Sequence, residues 1–129
     1  MNNIIGIPIR PFPAVRVNSK GWRFTPRAKE YHNKMNELRS LINKDIDTII
    51  KALNQGCYEL IFYFAIPKTK RKIKFCEMPY DIRPDTDNLF KSFTDSIFYW
   101  KDTDDKWIWK INAVKRYWDC DKIMFCYQD

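Results

Sequence analysis

A regular spacing of apolar residues between Thr25 and Gly56 constrains the fold of this chain more than any other feature. Apolar side chains recur there at steps of three and four, at Ala28, Tyr31, Met35, Leu38, Ile42, Ile46, Ile49 and Leu53. This spacing predicts one long helix that buries a single face. Thr25 followed by Pro26 is typical of a helix start, and Gly56 is typical of a helix end. The rest of the chain must therefore supply an apolar surface that covers this face.

The remaining apolar segments predict β-strands and a second, shorter helix. Strands are expected at 3–9, 58–66, 107–117 and 122–127, with a hairpin formed by 14–17 and 22–24. The second helix is expected to begin at Thr86 or Asp87 and to end near Tyr99. This order predicts an α+β fold, in which two main helices pack on one mixed or antiparallel sheet. A length of 129 residues suits a single domain spanning 1–129.

Charge is distributed unevenly along the chain. The net formal charge is +7, but residues 1–74 hold 15 Lys or Arg against 5 Asp or Glu, a net of +10. Residues 75–129 hold 8 against 11, a net of −3. A basic protein of this size suggests a polyanionic partner such as nucleic acid. A protein that only coats nucleic acid has little use for an acidic half, so the acidic residues suggest a bound cation.

Cysteine spacing and hydropathy exclude several other classes of protein. No two of Cys57, Cys76, Cys120 and Cys126 have the spacing of a zinc knuckle, so we predict reduced thiols buried in a cytosolic core. The longest apolar run, 60–66, is too short to cross a bilayer. The first residues lack the basic-then-apolar pattern of a signal peptide. We therefore expect a cytoplasmic protein with no membrane association.

Carboxylates cluster around the start of the second predicted helix. Asp85 precedes that helix, Asp87 lies in its first turn, and Lys91 and Asp95 continue the face of Asp87. A turn containing Asp102, Asp104 and Asp105 leads into the next strand. If this strand lies beside the helix start, three carboxylates and one ammonium converge, which would allow Mg²⁺-dependent phosphodiester hydrolysis. The same residues are also compatible with a helix cap, an ordinary ion pair and a solvated turn.

The order of these residues resembles a known family. Residues 83–91, with the sequence RPDTDNLFK, are followed by Asp95 and then by DDKWI at 104–108. This pattern is similar to that of the RusA family of Holliday-junction resolvases, whose motif is P-D-x-D-N-L-x-K, an aspartate four residues later, and D-D-x-Q-V/I before a strand. The resemblance is strong over 83–117 and weaker at 6–8, around Arg16 and at 24–26.

The resemblance implies a RusA-like fold and a specific reaction. Family members are homodimeric, Mg²⁺-dependent endonucleases, with Mn²⁺ as an alternative metal, that nick four-way DNA junctions symmetrically and need no organic cofactor. Carried over by position, the metal ligands would be Asp85, Asp87 and Asp105, and the catalytic lysine would be Lys91. Trp107 stands where the family has glutamine, and Asp102 or Asp104 remains an alternative third ligand.

Basic residues outside this segment are candidates for contacts with DNA phosphates. They are Arg10, Arg16, Arg23 and Arg27 around the predicted hairpin, Lys68, Lys70, Arg71, Lys72 and Lys74 in a basic loop, and Arg83 beside the carboxylates. The expected function is junction resolution in DNA recombination and repair. Two alternatives remain open at this point: a catalytically silent protein that binds junction or duplex DNA, and a nuclease that also cleaves flaps or replication forks.

Overall fold

The computed structural model describes residues 3–15, 25–66, 80, 83–98 and 108–128. Most of the predicted hairpin, the basic loop at 68–74 and the acidic turn at 102–105 lie outside these ranges. The described elements are the strands β1 (Asn3–Ile7), β2 (Tyr58–Ala65), β3 (Ala113–Trp118) and β4 (Lys122–Tyr127), and the helices α1 (Pro26–Ile42), α2 (Ile46–Gln55) and α3 (Thr86–Phe98). No helix in this described part of the chain is both long and apolar enough to span a membrane.

The long amphipathic segment forms two helices rather than the one that was predicted. A short 3₁₀ turn, Asn43–Asp45, separates α1 from α2. Asn and Asp have low helix propensity, which favours a change of helix type at this point, although Asp45 makes no side-chain cap hydrogen bond to α2. The apolar stripe nevertheless remains continuous, because Ile42 and Ile46 on either side of the turn are both buried. All eight residues of the predicted stripe are buried.

The predicted helix ends are confirmed by their hydrogen bonds. The Thr25 hydroxyl accepts a hydrogen bond from the backbone N–H of Ala28 at 3.2 Å, and Pro26 takes the first helical position. At the far end, Gly56 has φ +69° and its N–H donates to the carbonyls of Ala52 and Leu53. Both caps satisfy backbone groups that the helix itself leaves unpaired.

The four described strands form one mixed sheet in the order β1-β4-β2-β3. β4 pairs antiparallel with β1 and with β2, while β2 pairs parallel with β3. Alternate residues of β2 and β4, including Leu60, Phe62 and Phe125, enter a single core with the apolar sides of all three helices. The Phe93 ring on α3 stacks on the Phe125 ring with centroids 6.0 Å apart. The predicted α+β architecture is confirmed.

Strand β3 begins later than the predicted strand at 107–117. Residues 108–112 are described but form no strand, and pairing with β2 begins at Ala113. The Tyr58 hydroxyl donates to the carbonyl of Lys110 at 2.6 Å, and the Asn112 side-chain amide donates to the carbonyl of Tyr58 at 2.8 Å. These side-chain hydrogen bonds give partners to the carbonyls of Lys110 and Tyr58, which strand pairing would otherwise have to supply.

The prediction of buried cysteines is wrong for two of the residues that the structure describes. Cys57 and Cys120 are exposed and Cys126 is partly buried, and all three are free thiols. Cys57 lies just after the Gly56 cap and Cys120 lies in the turn between β3 and β4. Both therefore fall at the ends of elements, where an apolar neighbour in sequence does not imply burial.

Replacing Gly56 with alanine is expected to destabilise the protein by about 1–2 kcal/mol, because an L-residue is strained at positive φ. A Cβ there would also lie 2.6 Å from Cζ2 of the Trp109 ring, which would have to move. Gly6→Ala is a matched control, since its Cβ would meet only the Met124 sulfur at 3.6 Å, an ordinary contact. Urea unfolding measures both variants, and equal effects on the free energy of unfolding would contradict this account.

Candidate active site

The start of α3 carries the first two predicted site residues. The Asp85 carbonyl accepts the hydrogen bond of the Leu89 N–H at 3.1 Å, so Asp85 lies immediately before the helix, and Asp87 lies in the first turn. Both residues are exposed. The positive end of the helix dipole favours negative charge at these positions. Two exposed carboxylates therefore lie at the start of α3, one before the helix and one in its first turn, which are the positions that the sequence predicted.

A cation on strand β3 holds the segment that enters this helix. The Lys115 ammonium donates to the carbonyl of Pro84 at 2.9 Å and lies 5.6 Å from the centroid of the Tyr80 ring. The Tyr80 N–H in turn donates to the carbonyl of Lys115 at 3.1 Å. The position of Asp85, the next residue after Pro84, is thus tied to the sheet and not to the helix alone.

Lys91 and Asp87 line the same cavity. Its volume is about 240 Å³, and its walls are formed by Asp87, Phe90, Lys91, Thr94, Ile108 and Ile111. A cavity of this size holds several water molecules at about 30 Å³ each. The cavity is open to solvent, since the Lys91 side chain is 54% exposed and Ile111 is 64% exposed, so a charged ligand can reach both the carboxylate and the ammonium. The structure therefore brings together two of the side chains that the sequence singled out.

An ion pair and a hydrogen bond link Lys91 to the interior of the protein. The Lys91 ammonium lies 2.9 Å from Oδ1 of Asp95, and Oδ2 of Asp95 accepts a 2.9 Å hydrogen bond from the Tyr31 hydroxyl. Burial, together with the neighbouring Asp95 carboxylate, raises the pKa of Tyr31 well above its usual value. Tyr31 is therefore a neutral hydrogen-bond donor at physiological pH.

A model of a known protein family matches most of this chain. The model described as endodeoxyribonuclease RusA matches residues 8–124 of the 129-residue chain. The chain belongs to the RusA family. No match was found among curated proteins. The matched region includes the whole of α3 and the segment before it, which confirms the resemblance that the motif indicated. RusA-family proteins are endodeoxyribonucleases that resolve Holliday junctions and generally use a divalent metal.

The exposed carboxylates of this RusA-family chain fit a hard divalent cation. Asp85 and Asp87 offer oxygen ligands, which Mg²⁺ prefers, and both are accessible to solvent. Within the described ranges, no three His, Cys, Asp or Glu side chains gather closely enough to hold a metal by themselves. Asp105 and its alternatives Asp102 and Asp104 lie outside those ranges, so the third ligand stays a prediction.

Three of the predicted DNA contacts fall within the described residues. Arg27 and Arg83 are exposed. Arg10 is also exposed, but its guanidinium donates to both carboxylate oxygens of Asp121 at 3.1 Å and lies 5.3 Å from the centroid of the Phe64 ring. Part of the hydrogen-bonding capacity of Arg10 is thus used within the fold. The predicted contacts outside the described residues are Arg16, Arg23, Lys68, Lys70, Arg71, Lys72 and Lys74.

The sequence did not indicate that Tyr31 contacts Asp95 or that Arg10 contacts Asp121. Apolar spacing placed Tyr31 on the buried face of the helix, and no role was predicted for Asp121. The spacing of Lys91 and Asp95 could have indicated their ion pair, because residues four apart share a helix face. Nothing in the sequence pairs Tyr31 with Asp95 or Arg10 with Asp121, since 64 and 111 residues separate the partners.

Proposed function

We propose that this RusA-family protein is an Mg²⁺-dependent endonuclease that resolves four-way DNA junctions by two symmetric nicks. The observation that carries the proposal is that Asp87 and Lys91, which match the family motif, line one cavity at the start of α3. An exposed carboxylate and a nearby ammonium are the two kinds of group that metal-assisted phosphodiester hydrolysis needs. The biological setting that we propose is DNA recombination and repair, in the cytoplasm.

In the proposed chemistry, carboxylates bind the metal and an ammonium stabilises negative charge on the phosphate. Asp85, Asp87 and Asp105 would hold Mg²⁺, with Mn²⁺ as an alternative. When bound, the metal would activate water and neutralise charge on the phosphate. The Lys91 ammonium stabilises the negative charge that develops as water adds to phosphorus and the bond to the leaving oxygen breaks. Arg83, directly before the carboxylate segment, is exposed and would contact the phosphate backbone beside the nick.

The proposed partners are branched DNA and a second copy of the chain. A four-way junction is close to two-fold symmetric, and a two-fold homodimer supplies two equivalent sites for paired nicks. The basic residues predicted to contact DNA would provide most of the binding affinity through their interactions with phosphates, which makes binding sensitive to salt. The strongly basic 1–74 segment supports this arrangement.

Incubation of the purified protein with a synthetic four-way junction tests the proposal. We expect paired nicks at symmetric positions with Mg²⁺ and none in the presence of EDTA, with nick positions mapped on sequencing gels. Binding without cleavage in Mg²⁺ or Mn²⁺ would favour a silent DNA-binding protein. Equally fast cleavage of flaps and forks would show a nuclease of broader specificity, and either result would contradict the proposal.

A further inference from the structure

A chain of three side chains runs from the buried face of α1 to the candidate active site. We propose that Tyr31 and Asp95 are positioning residues that hold the Lys91 ammonium in place for the reaction. This inference rests on the proposed function, because it gives Lys91 the role of stabilising charge on the phosphate. It gives a role at the candidate active site to two further residues, Asp95 on α3 and Tyr31 on α1.

Exposure increases in steps along this chain. Tyr31 is 4% exposed, while the side chains of Asp95 and Lys91 are 27% and 54% exposed. Each carboxylate oxygen of Asp95 has its own partner: Oδ2 accepts from the Tyr31 hydroxyl and Oδ1 faces the Lys91 ammonium, both at 2.9 Å. The fixed interior residue thus orients the carboxylate, and the carboxylate orients the flexible lysine.

The Tyr31 end of this chain is held by packing between α1 and α3. The Tyr31 ring contacts the Phe12 ring edge-on, with centroids 6.0 Å apart. Arg39 on α1 donates to the carbonyl of Ile97 at 3.0 Å, and the Ser92 hydroxyl on α3 donates to the carbonyl of Phe12 at 2.6 Å. Arg39 thus ties α1 directly to α3, and Ser92 ties α3 to the Phe12 segment against which the Tyr31 ring packs.

An ordinary surface ion pair on α1 provides the comparison that this inference needs. Glu30 and Lys34 have the same four-residue spacing as Lys91 and Asp95, with 3.3 Å between Nζ and Oε1. The Glu30 side chain, however, is 68% exposed. Exposed pairs of this kind restrain a lysine little. The Asp95 side chain is only 27% exposed, against 68% for Glu30, so a positioning role is assigned to Asp95 and not to Glu30.

Single-turnover cleavage with saturating protein measures the effect of each variant on the chemical step. We expect Asp95→Asn to slow cleavage by about 10- to 100-fold and Tyr31→Phe by about 3- to 10-fold, because misplacing a reacting group by about 1 Å is enough for such losses. Affinity for the junction should stay within about two-fold of the parent protein, since exposed cations set it. Glu30→Gln makes the matched change from carboxylate to amide and should cleave at the parent rate.

A double-mutant cycle separates positioning from a general structural role. If Asp95 acts through Lys91, Asp95→Asn should cause no further loss of rate in the Lys91→Ala background. The same fold loss in both backgrounds, or a loss that follows a fall in thermal stability, would overturn the inference. Tyr31→Phe keeps the buried ring and serves as the milder variant if Asp95→Asn unfolds the protein.

NMR relaxation of the Lys91 side chain gives a readout that does not depend on cleavage. The order parameter at Cε of Lys91 should fall in Asp95→Asn and in Tyr31→Phe, and it should be unchanged in Glu30→Gln. An unchanged order parameter in the first two variants would overturn the inference. If Lys91 is ordered by Asp95 but the parent protein does not cleave the junction, the proposed function fails and the positioning of Lys91 stands.

Discussion

Asp87→Asn is expected to abolish Mg²⁺-dependent cleavage of a four-way junction while leaving binding to that junction intact. Asparagine keeps the size of the side chain but removes the negative charge that a divalent cation needs. Removing only an outer partner of a metal ligand typically lowers activity by about 10- to 100-fold, so loss of a direct ligand should exceed 100-fold. Cleavage rates under single-turnover conditions and gel-shift affinities measure the two properties separately.

Asp47→Asn is the matched control for this variant. Asp47 is an exposed aspartate in the first turn of α2, as Asp87 is in the first turn of α3. Both substitutions remove a favourable interaction with a helix dipole, worth about 0.3–1 kcal/mol, but only one lies at the candidate active site. Normal cleavage by Asp87→Asn, or equal loss in the two variants, would contradict the assignment of Asp87 to metal binding.

Lys91→Ala should slow cleavage by about 100- to 1,000-fold, the usual effect of removing one group that stabilises developing charge. The variant should bind the junction with nearly unchanged affinity and should show the same dependence on Mg²⁺ concentration as the parent protein. The dependence on Mg²⁺ distinguishes Asp87→Asn from Lys91→Ala. High Mg²⁺ should restore part of the cleavage rate lost in Asp87→Asn, because that variant has a weakened metal ligand, but it should restore none of the rate lost in Lys91→Ala. A titration of the cleavage rate against Mg²⁺ gives the comparison.

Lys34→Ala is the control for the loss of a helix-surface cation. Lys34 lies in an i,i+4 ion pair, as Lys91 does, and the two side chains have similar exposure. We expect Lys34→Ala to keep the parent rate of cleavage. If Lys91→Ala also cleaves at that rate, the lysine has no part in the reaction, and the positioning role of Asp95 and Tyr31 fails with it.

The structure changes the interpretation of the acidic residues in the second half of the chain. The sequence suggested that their excess reflects a bound cation, and Asp85 and Asp87 remain candidates for that role. Asp95 and Asp121, in contrast, form ion pairs with Lys91 and Arg10. Asp121 also accepts a hydrogen bond from the backbone N–H of Ala65 at 2.8 Å. Part of the negative charge thus serves to position basic side chains.

Local features were predicted most accurately. The bounds of β4, the caps at Thr25 and Gly56, and the start of α3 agree with the structure because each depends on residues only a few positions apart. Predictions failed where an apolar pattern extends beyond the true end of an element. The hydrogen bonds of Tyr58 set the start of β3, and local propensity at Asn43–Asp45 interrupts a helix that its apolar spacing alone would continue.

For the candidate active site, the sequence by itself determined which residues are chemically suited to the proposed reaction and that Asp87 and Lys91 share a helix face. Helical geometry imposes that arrangement over four residues, whatever the rest of the chain does. Only the tertiary structure decided that Tyr31 reaches Asp95 and that Lys115 holds Pro84. These contacts join residues on different elements, and their partners are set by the packing of α1 on α3 and by the position of β3 in the sheet, which no local pattern encodes.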